Sequence, residues 1–310
     1  MSLRTVFLLQ IACAILLTVR VPAQAVYSTT TSQSAFLATG SADNPVGTDL
    51  TNLNFGGAGT LAISPASADK GQFQSLLMFN FAGAVSLFDS AYGSNRWVVT
   101  SISLQLASNY GTGGVQPNNK IFNVISGGNF VIEWLPDNDW VQGTGTPNLP
   151  TTDGVTFNSL PGLESGPCKI LCTNTYTPPG NFVPVTYTLP LDANLVAEIE
   201  SGTNATLLFF AADNQIGYLF NSVKFGNGDQ PLINVTAAPL LKILSCDFTN
   251  GTFHLTGLGE ANSQYEIQAN FDPSTTNWET LSTVTADTNG VIQFYDTSAT
   301  NRQYFYRLAQ

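Results

Sequence analysis

Alternation of apolar and polar residues runs through most of this chain, and it predicts strands almost throughout. Residues 101–106 read Ser-Ile-Ser-Leu-Gln-Leu, and such a period of two buries one face of a strand. Residues 76–81 and 205–212 are nearly continuous apolar runs, which predict buried strands. Helical spacing is confined to Leu195, Val196 and Ile199, before a stop at Gly202. About ten strands with so little helix predict an antiparallel sandwich or jelly roll.

A second and shorter set of alternating runs follows Ala237-Ala238-Pro239, which we interpret as a linker between two domains. Asn250-Gly251 and Asn289-Gly290 lie between such runs, and Asn-Gly in that position is a strong hairpin signal. The pattern therefore predicts a small second β-sandwich. Its six strand candidates are residues 243–248, 252–258, 264–269, 280–284, 291–295 and 304–308.

The first 25 residues are typical of a secretory signal peptide. Arg4 precedes an apolar run from residue 6 to 19, and Ala23-Gln24-Ala25 supplies the small residues of a cleavage site. The alternatives are a membrane anchor or a lipoprotein attached through Cys13. The run of about 14 residues is short of the roughly 20 that span a bilayer, so we expect cleavage and secretion to the extracellular space or the cell surface, with no membrane span afterwards.

Charge and composition exclude several classes of function. Beyond the leader, eight Lys and Arg remain against 21 acids, a net charge of −13. The few cations form no stripe that could follow phosphates, so we expect no nucleic-acid partner. His254 is the single histidine, and it lies in an alternating strand. A histidine-dependent catalytic triad or a zinc site is therefore a poor prediction.

Residues 130–162 carry the densest functional chemistry. Turn-forming Pro, Asp, Asn, Gly and Thr residues lie there between two strand-like runs, residues 130–134 and 155–157. A long loop on an all-β scaffold is a usual place for binding residues. Aromatic rings give apolar area at a small entropy loss, which suits stacking on a sugar ring. For any single tryptophan, a place in the core is the favoured alternative. The candidates for carbohydrate contact are Trp134, Trp140, Trp97 and Tyr110.

The aspartates of this region allow two interpretations. Asp137, Asp139 and Asp153 could offer oxygen ligands to a structural Ca²⁺, and Asp43 with Asp49 forms a second, weaker calcium candidate. The alternative is a set of turns in which each aspartate accepts hydrogen bonds from its own backbone. A glycosidase would need two carboxyl groups across a cleft.

The pairing that the sequence offers for a glycosidase is Glu133 with Asp137 or Asp139, and loop neighbours at that spacing are common by chance. We therefore expect no enzymatic activity.

Cys168 and Cys172 lie in a Gly- and Pro-rich insertion, where an exported protein favours a local disulfide over two free thiols if the chain turns between them.

Residues 30–237 resemble the DNRLRE-type family of secreted bacterial jelly rolls, which is similar in form to carbohydrate-binding modules. The resemblance rests on Asn54-Phe55-Gly56-Gly57, Asp139-Trp140-Val141-Gln142-Gly143-Thr144-Gly145 and residues 153–162. Met78, Phe157 and Lys224 depart from the family pattern, which weakens the transfer of any polar site. The resemblance implies a non-catalytic module, with sugar binding in some members.

Residues 238–310 resemble a fibronectin-III or immunoglobulin-like module, through residues 265–269, Trp278-Glu279-Thr280-Leu281, residues 286–290 and residues 304–307. The sequence thus predicts an all-β protein, a jelly-roll domain at 26–237 followed by the small module at 238–310. The expected function is non-catalytic binding of a polysaccharide or cell-surface glycan, with possible structural calcium. The alternative is a structural or adhesive protein that contacts another surface protein.

Overall fold

The structure is a computed structural model that describes residues 24–41, 49–66, 71–109, 125–226, 228–298 and 305–309. Its paired strands are all antiparallel, and the helices are short, which confirms the all-β prediction. Among the described residues, no helix is long and apolar enough to cross a bilayer. Residues 1–23 of the predicted leader lie outside the described residues.

The first sandwich has a jelly-roll strand order. One sheet runs β1-β11-β5-β8 and the facing sheet runs β2-β4-β9-β6-β7, so the first and last strands are neighbours, as in double-Greek-key folds. A separate pair, β10-β3, is also present. The strands are β1 (Ala25–Thr30), β2 (Gln33–Ala38), β3 (Thr60–Ile63), β4 (Phe73–Asn80), β5 (Trp97–Ala107), β6 (Gly128–Leu135), β7 (Lys169–Tyr176), β8 (Pro184–Leu189), β9 (Asn204–Ala211), β10 (Tyr218–Asn221) and β11 (Leu232–Pro239).

Three short helices accompany these strands: α1 (Ala82–Tyr92), α2 (Leu160–Leu163) and α3 (Ala193–Ser201). The predicted helical turn is confirmed as α3, which Asp192 caps and which Gly202 ends at φ 69°. Helix α1 was not predicted. Its buried residues Ala84 and Phe88 are four positions apart, a helical spacing too short to stand out in the sequence.

The main core lies between the two sheets and is rich in aromatic rings. Phe36 stacks on Phe55 at 4.6 Å, and Tyr176 stacks on Tyr218 at 3.7 Å. A second apolar cluster lies on the other side of the five-stranded sheet, where Leu37 and Leu76 pack with Trp140 from the following loop. The five-stranded sheet is therefore buried on both faces, and the loop from residue 136 to 168 is its cover.

The predicted strand at residues 155–157 is not a strand. Phe157–Ser159 is a 3₁₀ turn that leads into α2, and Thr156 precedes it in an extended conformation. The Ser159 hydroxyl accepts a hydrogen bond from the backbone N–H of Thr156 and donates one to the carbonyl of Thr156, at 2.8 Å each. This reciprocal capping satisfies the local donors and outweighs the β-propensity of three residues.

Six strands follow, close to the six predicted ones, and they form two three-stranded sheets, β12-β13-β16 and β15-β14-β17. A small core of Tyr265, Ile267 and Ile292 lies between them. The predicted linker belongs to β11 instead, because Ala237, Ala238 and Pro239 pair with β5. The strands are β12 (Lys242–Thr249), β13 (Thr252–Leu258), β14 (Gln264–Asn270), β15 (Glu279–Thr285), β16 (Val291–Asp296) and β17 (Phe305–Ala309).

Candidate functional site

The loop that leaves β6 begins with a tight turn held by its own aspartate. Asp137 accepts a hydrogen bond from the backbone N–H of Asp139 at 2.8 Å, which is an Asx turn. Asp137 is half-buried and Asp139 is exposed. The turn thus presents two carboxylates and the amide of Asn138 at the surface of the sandwich.

Asn138 is fixed at both ends of its amide. Its Nδ2 donates to Glu198 Oε1 at 2.7 Å, and its Oδ1 accepts from the hydroxyl of Thr206 at 2.8 Å. The two tryptophans complete the network, since Trp134 Nε1 donates to Glu198 Oε2 at 2.6 Å and Trp140 Nε1 donates to Thr206 Oγ1 at 3.0 Å. Strand β9 and helix α3 therefore hold the loop in one position through a continuous chain of hydrogen bonds.

Glu198 is the acid on which this network depends. Burial raises its pKa, and the hydrogen bonds from Trp134 and Asn138 partly offset that rise. The carboxylate is accordingly a structural acceptor that receives one donor on each oxygen. Its role is to orient the loop, because both of its oxygens are already engaged.

An open cleft of about 450 Å³ lies beside this turn. The cleft is shallow and broadly open to solvent. The walls combine carboxylate, amide and hydroxyl groups with a single leucine, and they contain no lysine or arginine. The lining residues are Pro136, Asp137, Asn138, Asp139, Leu163, Ser165 and Gly166.

Two further acids and a thiol influence one another next to the cleft. Burial raises the pKa of Glu133 and of Glu164, and the negative charge of Glu164 adds to the rise at Glu133. Burial also raises the pKa of the Cys168 thiol, with smaller contributions from both acids. The acid coupled to Glu133 is thus Glu164, whereas the sequence suggested Asp137 or Asp139 as its partner.

The rest of the loop is fixed by one buried asparagine. Asn54 has no exposed surface, and its Nδ2 donates to the carbonyls of Gln142 and Val155, both at 2.8 Å. Its Oδ1 accepts from the backbone N–H groups of Gly56 at 3.0 Å and Gly145 at 3.1 Å. Two segments that the family resemblance singled out, residues 54–57 and 139–145, therefore lie against each other.

Close backbone contact explains the glycines of these two segments. A Cβ atom at Gly56 would lie 1.7 Å from the carbonyl oxygen of Gln142, and one at Gly145 would lie 1.9 Å from that of Asn54. No side chain fits at such distances. Gln142 adds a second layer of contacts, because its side chain bonds both Ser34 N at 3.1 Å and Gly56 O at 2.6 Å.

The tryptophans proposed for sugar stacking are buried. Trp134 and Trp140 are each 6% exposed, and Trp97 is 8% exposed, with its Nε1 on Asp89 at 2.8 Å. A ring needs an open face to stack on a sugar, so these three support the scaffold and do not form a platform. Tyr110, the fourth candidate, lies outside the described residues. Trp278 of the second sandwich is half-buried beneath the Arg307 guanidinium at 4.4 Å.

Asp153 and Asp49, two of the aspartates proposed as calcium ligands, accept hydrogen bonds from nearby threonines. Asp153 accepts from the N–H and hydroxyl of Thr144 and from the hydroxyl of Thr151, and these bonds lower its pKa to about 2. Asp49 accepts twice from Thr51. Oxygens that receive N–H and O–H groups suit the Asx-turn interpretation. Among the described residues, no three His, Cys, Asp or Glu side chains could hold a metal ion together; Asp43 lies outside that part.

The predicted disulfide between Cys168 and Cys172 is not formed. Both cysteines are free thiols, and the chain between them belongs to strand β7. Four extended residues span about 13 Å, whereas a disulfide needs α-carbons about 4.4–6.8 Å apart. The prediction required a turn at this point, and pairing with β6 keeps the segment extended instead.

Sequence reasoning missed three residues that organise the site: Asn54, Glu198 and Glu164. Asn54 follows an unremarkable turn, and its partner Gln142 is 88 residues away. Glu198 lies on a short helix beside the apolar positions Leu195 and Ile199, where local pattern does not distinguish it from a surface acid. A usable signal for Asn54 was its place in the Asn-Phe-Gly-Gly segment, where closely spaced glycines indicate a tight backbone approach.

Comparisons with known proteins add little beyond the fold. No family model and no curated protein matches the chain. It aligns with Ruminococcus gnavus β-glucuronidase over 92% of its length and 42% of that chain, at 9% identity and a TM-score of 0.22. It aligns with β-1,2-glucanase from Parabacteroides distasonis over 91% of its length and 34% of that chain, at 12% identity and a TM-score of 0.19. It aligns with the Macrobrachium rosenbergii nodavirus structure over 99% of its length and 95% of that chain, at 15% identity and a TM-score of 0.18. The chain spans less than half of the glucuronidase chain.

Proposed function

We propose that this protein is a non-catalytic module, exported to the extracellular space or cell surface, that binds a glycan in the cleft beside Asp137 and Asp139. The observation that carries the proposal is the cleft, about 450 Å³ in volume, with its rim held by the Asn138 network. A rim that is already ordered loses little entropy on binding, so weak polar contacts can add up to a useful affinity.

The lining chemistry favours a neutral or amino sugar. Carboxylate oxygens of Asp137 and Asp139 can accept hydrogen bonds from sugar hydroxyls, and the Ser165 hydroxyl can donate or accept. The cleft contains no cation, and the chain carries 21 acids against 10 Lys and Arg. A polysaccharide rich in carboxylate or sulfate would be repelled. Leu163 offers an apolar contact to the face of a sugar ring.

The arrangement of acids supports binding without catalysis. A glycosidase pairs a protonated acid with a second carboxyl group across the scissile bond. The two acids whose pKa rises near the cleft, Glu133 and Glu164, are not among its lining residues. Asp137, which does line it, is engaged by the backbone of Asp139. Calcium is not part of the proposal.

The test is a binding screen of the folded protein against immobilised neutral and amino-sugar polysaccharides. The key variant is Asp139→Asn, an isosteric change at an exposed position; Glu279→Gln, an exposed acid on β15, is the matched control. We expect Asp139→Asn to weaken binding about tenfold, because a hydrogen bond to a charged group contributes about 1.5–3 kcal/mol. Chelator should change nothing. Absence of binding, or binding that Asp139→Asn leaves unchanged, would refute the proposal.

A second candidate function, adhesion to another protein, has its own observation. Three of the four tryptophans are buried, and strand β12 exposes apolar side chains that include Leu244 at 51% and Phe248 at 54%. Large apolar side chains grouped on one exposed strand are typical of contact surfaces. This candidate predicts a partner at β12 and no dependence on Asp139.

A further inference from the structure

A cavity of about 90 Å³ opens on the outer face of the four-stranded sheet, at the end where β5 finishes. Thr30, Leu232 and Gln105 lie side by side there, across β1, β11 and β5. Gln105 points outward, because its two neighbours along β5 are fully buried in the core. The chain segment 228–230 forms the opposite wall, so the cavity is lined by amide, hydroxyl and carboxylate groups.

This cavity and the cleft beside Asp139 lie at opposite ends of the first sandwich. Strand β6 begins near the cavity, since its first residue, Gly128, pairs with Tyr176, and the Tyr176 hydroxyl lies 3.4 Å from that of Ser108, directly after β5. The same strand ends at Leu135, beside the cleft. The two sites are therefore separate, and neither shares a lining residue with the other.

Two half-buried phenylalanine rings adjoin the cavity. The ring centroids of Phe182 and Phe225 are 5.3 Å apart, and the ring planes make an angle of 33°. Phe182 comes two residues before Pro184, which lines the cavity. The carbonyl of Phe225 accepts a hydrogen bond at 3.5 Å from Gln230, another lining residue. An aromatic surface and a polar cavity thus lie next to each other.

Phe182 is held in a backbone conformation that phenylalanine rarely adopts. Its φ is 58°, in the left-handed region; the other non-glycine residues with positive φ in the described part of the chain are asparagines, which tolerate it. Two backbone hydrogen bonds fix this position, from the N–H of Phe182 to the carbonyl of Ser108 at 2.6 Å and from the N–H of Ser108 to the carbonyl of Val183 at 3.2 Å. Strain that the surroundings impose in this way is concentrated at functional sites.

The wall at 228–230 is tied to the sandwich beneath it. Asn221 is fully buried, and its Nδ2 donates to the carbonyl of Asp229 at 2.8 Å. Gln230 Nε2 donates to the carbonyl of Val223 at 2.8 Å. Both bonds use backbone carbonyls, so the exposed Asp229 carboxylate keeps its oxygens for other donors. The segment 223–230 carries Lys224 and Asp229, one charge of each sign, and therefore favours a ligand without net charge.

We propose that this end of the sandwich is a second binding site, which takes one ring of a neutral oligosaccharide. The ring face lies on Phe182 and Phe225, because aromatic side chains offer apolar area to the C–H face of a sugar. Gln105 and Thr30 can each donate to and accept from its hydroxyl groups. The cavity has the volume of about three water molecules at roughly 30 Å³ each, so it admits a hydroxymethyl group and excludes a whole ring.

The test is a calorimetric titration of the full-length protein with cellotetraose, laminaritetraose and maltotetraose. Phe182→Gly is the key variant. Glycine adopts a positive φ without strain, so the change removes the ring while the relieved strain offsets the lost packing. Gln105→Leu removes the amide at nearly the same size. Phe248→Ala is the matched control, because that ring is exposed on β12 of the other sandwich.

We expect at least one tetrasaccharide to bind, and Phe182→Gly and Gln105→Leu each to raise its Kd about fivefold, whereas Phe248→Ala leaves it unchanged. The urea midpoint of Phe182→Gly should stay close to that of wild type, which a purely structural ring would not allow. No binding to the folded protein, or a Kd that Phe182→Gly leaves unchanged, would overturn the inference.

Asp139→Asn, titrated in parallel, separates this site from the cleft of the proposed function. Weaker binding with Asp139→Asn alone would assign the ligand to that cleft and overturn the second site. Weaker binding with Phe182→Gly alone would support the second site and count against the cleft. The two proposals can therefore fail independently.

Discussion

Removal of the Asn54 side chain should be among the most damaging single changes in the first sandwich. Its amide is fully buried and makes four hydrogen bonds, two donated to the carbonyls of Gln142 and Val155 and two accepted from Gly56 and Gly145. In Asn54→Ala all four backbone groups lose a partner in a buried setting. At the lower limit of about 1 kcal/mol for each unsatisfied group, the free energy of unfolding should fall by about 4 kcal/mol.

The assay is urea denaturation followed by tryptophan fluorescence, which reports mainly on the first sandwich because three of the four tryptophans lie there. The slope with urea should stay constant, so that the midpoint shift measures stability. Asn52→Ala is the matched control: Asn52 is exposed and accepts one hydrogen bond from Asn158. It should change stability by about 0.5 kcal/mol or less. A loss below about 1 kcal/mol for Asn54→Ala would refute the reasoning.

Three further predictions follow from the same contacts. Gly145→Ala should destabilise strongly, because its Cβ would lie 1.9 Å from a backbone oxygen, whereas Gly162→Ala meets nothing within 4 Å and should be neutral in the same denaturation assay. The pKa of Asp153 is lowered from 3.8 to about 2, so its contribution to stability is present above pH 3.8 and is lost as pH falls through 2. In acid denaturation, the difference in unfolding free energy between wild type and Asp153→Asn should therefore disappear over that interval. A difference that stays constant would contradict this prediction. Without reductant, both Cys168 and Cys172 should alkylate fully after denaturation, and a mass loss of two hydrogens would show a disulfide instead.

The site shows how far local pattern reaches. The sequence located the loop that lines the candidate site, since proline, glycine and aspartate between strand-like runs mark turns wherever they occur. It also identified Trp134 and Trp140 as candidates for a sugar contact, and it left a place in the core as the alternative for each ring. Their environment depends on Glu198 and Thr206, which come more than 60 residues later. The local sequence around an aromatic residue is the same whether the ring is exposed to solvent or packs against another strand. Local pattern therefore does not predict its burial.

The sequence by itself determined most of the strands, the Asn-Gly hairpin turn between β12 and β13 and the small helix before Gly202, because alternation, Asn-Gly pairs and helix stops act over a few residues. Tertiary structure alone decided that Asn54 joins two distant segments, that β7 keeps Cys168 and Cys172 apart, and that strand β12 is exposed along its whole length. The physical reason is that burial and hydrogen-bond pairing are set by the element across the core, and that element is fixed by strand order, which no local pattern encodes.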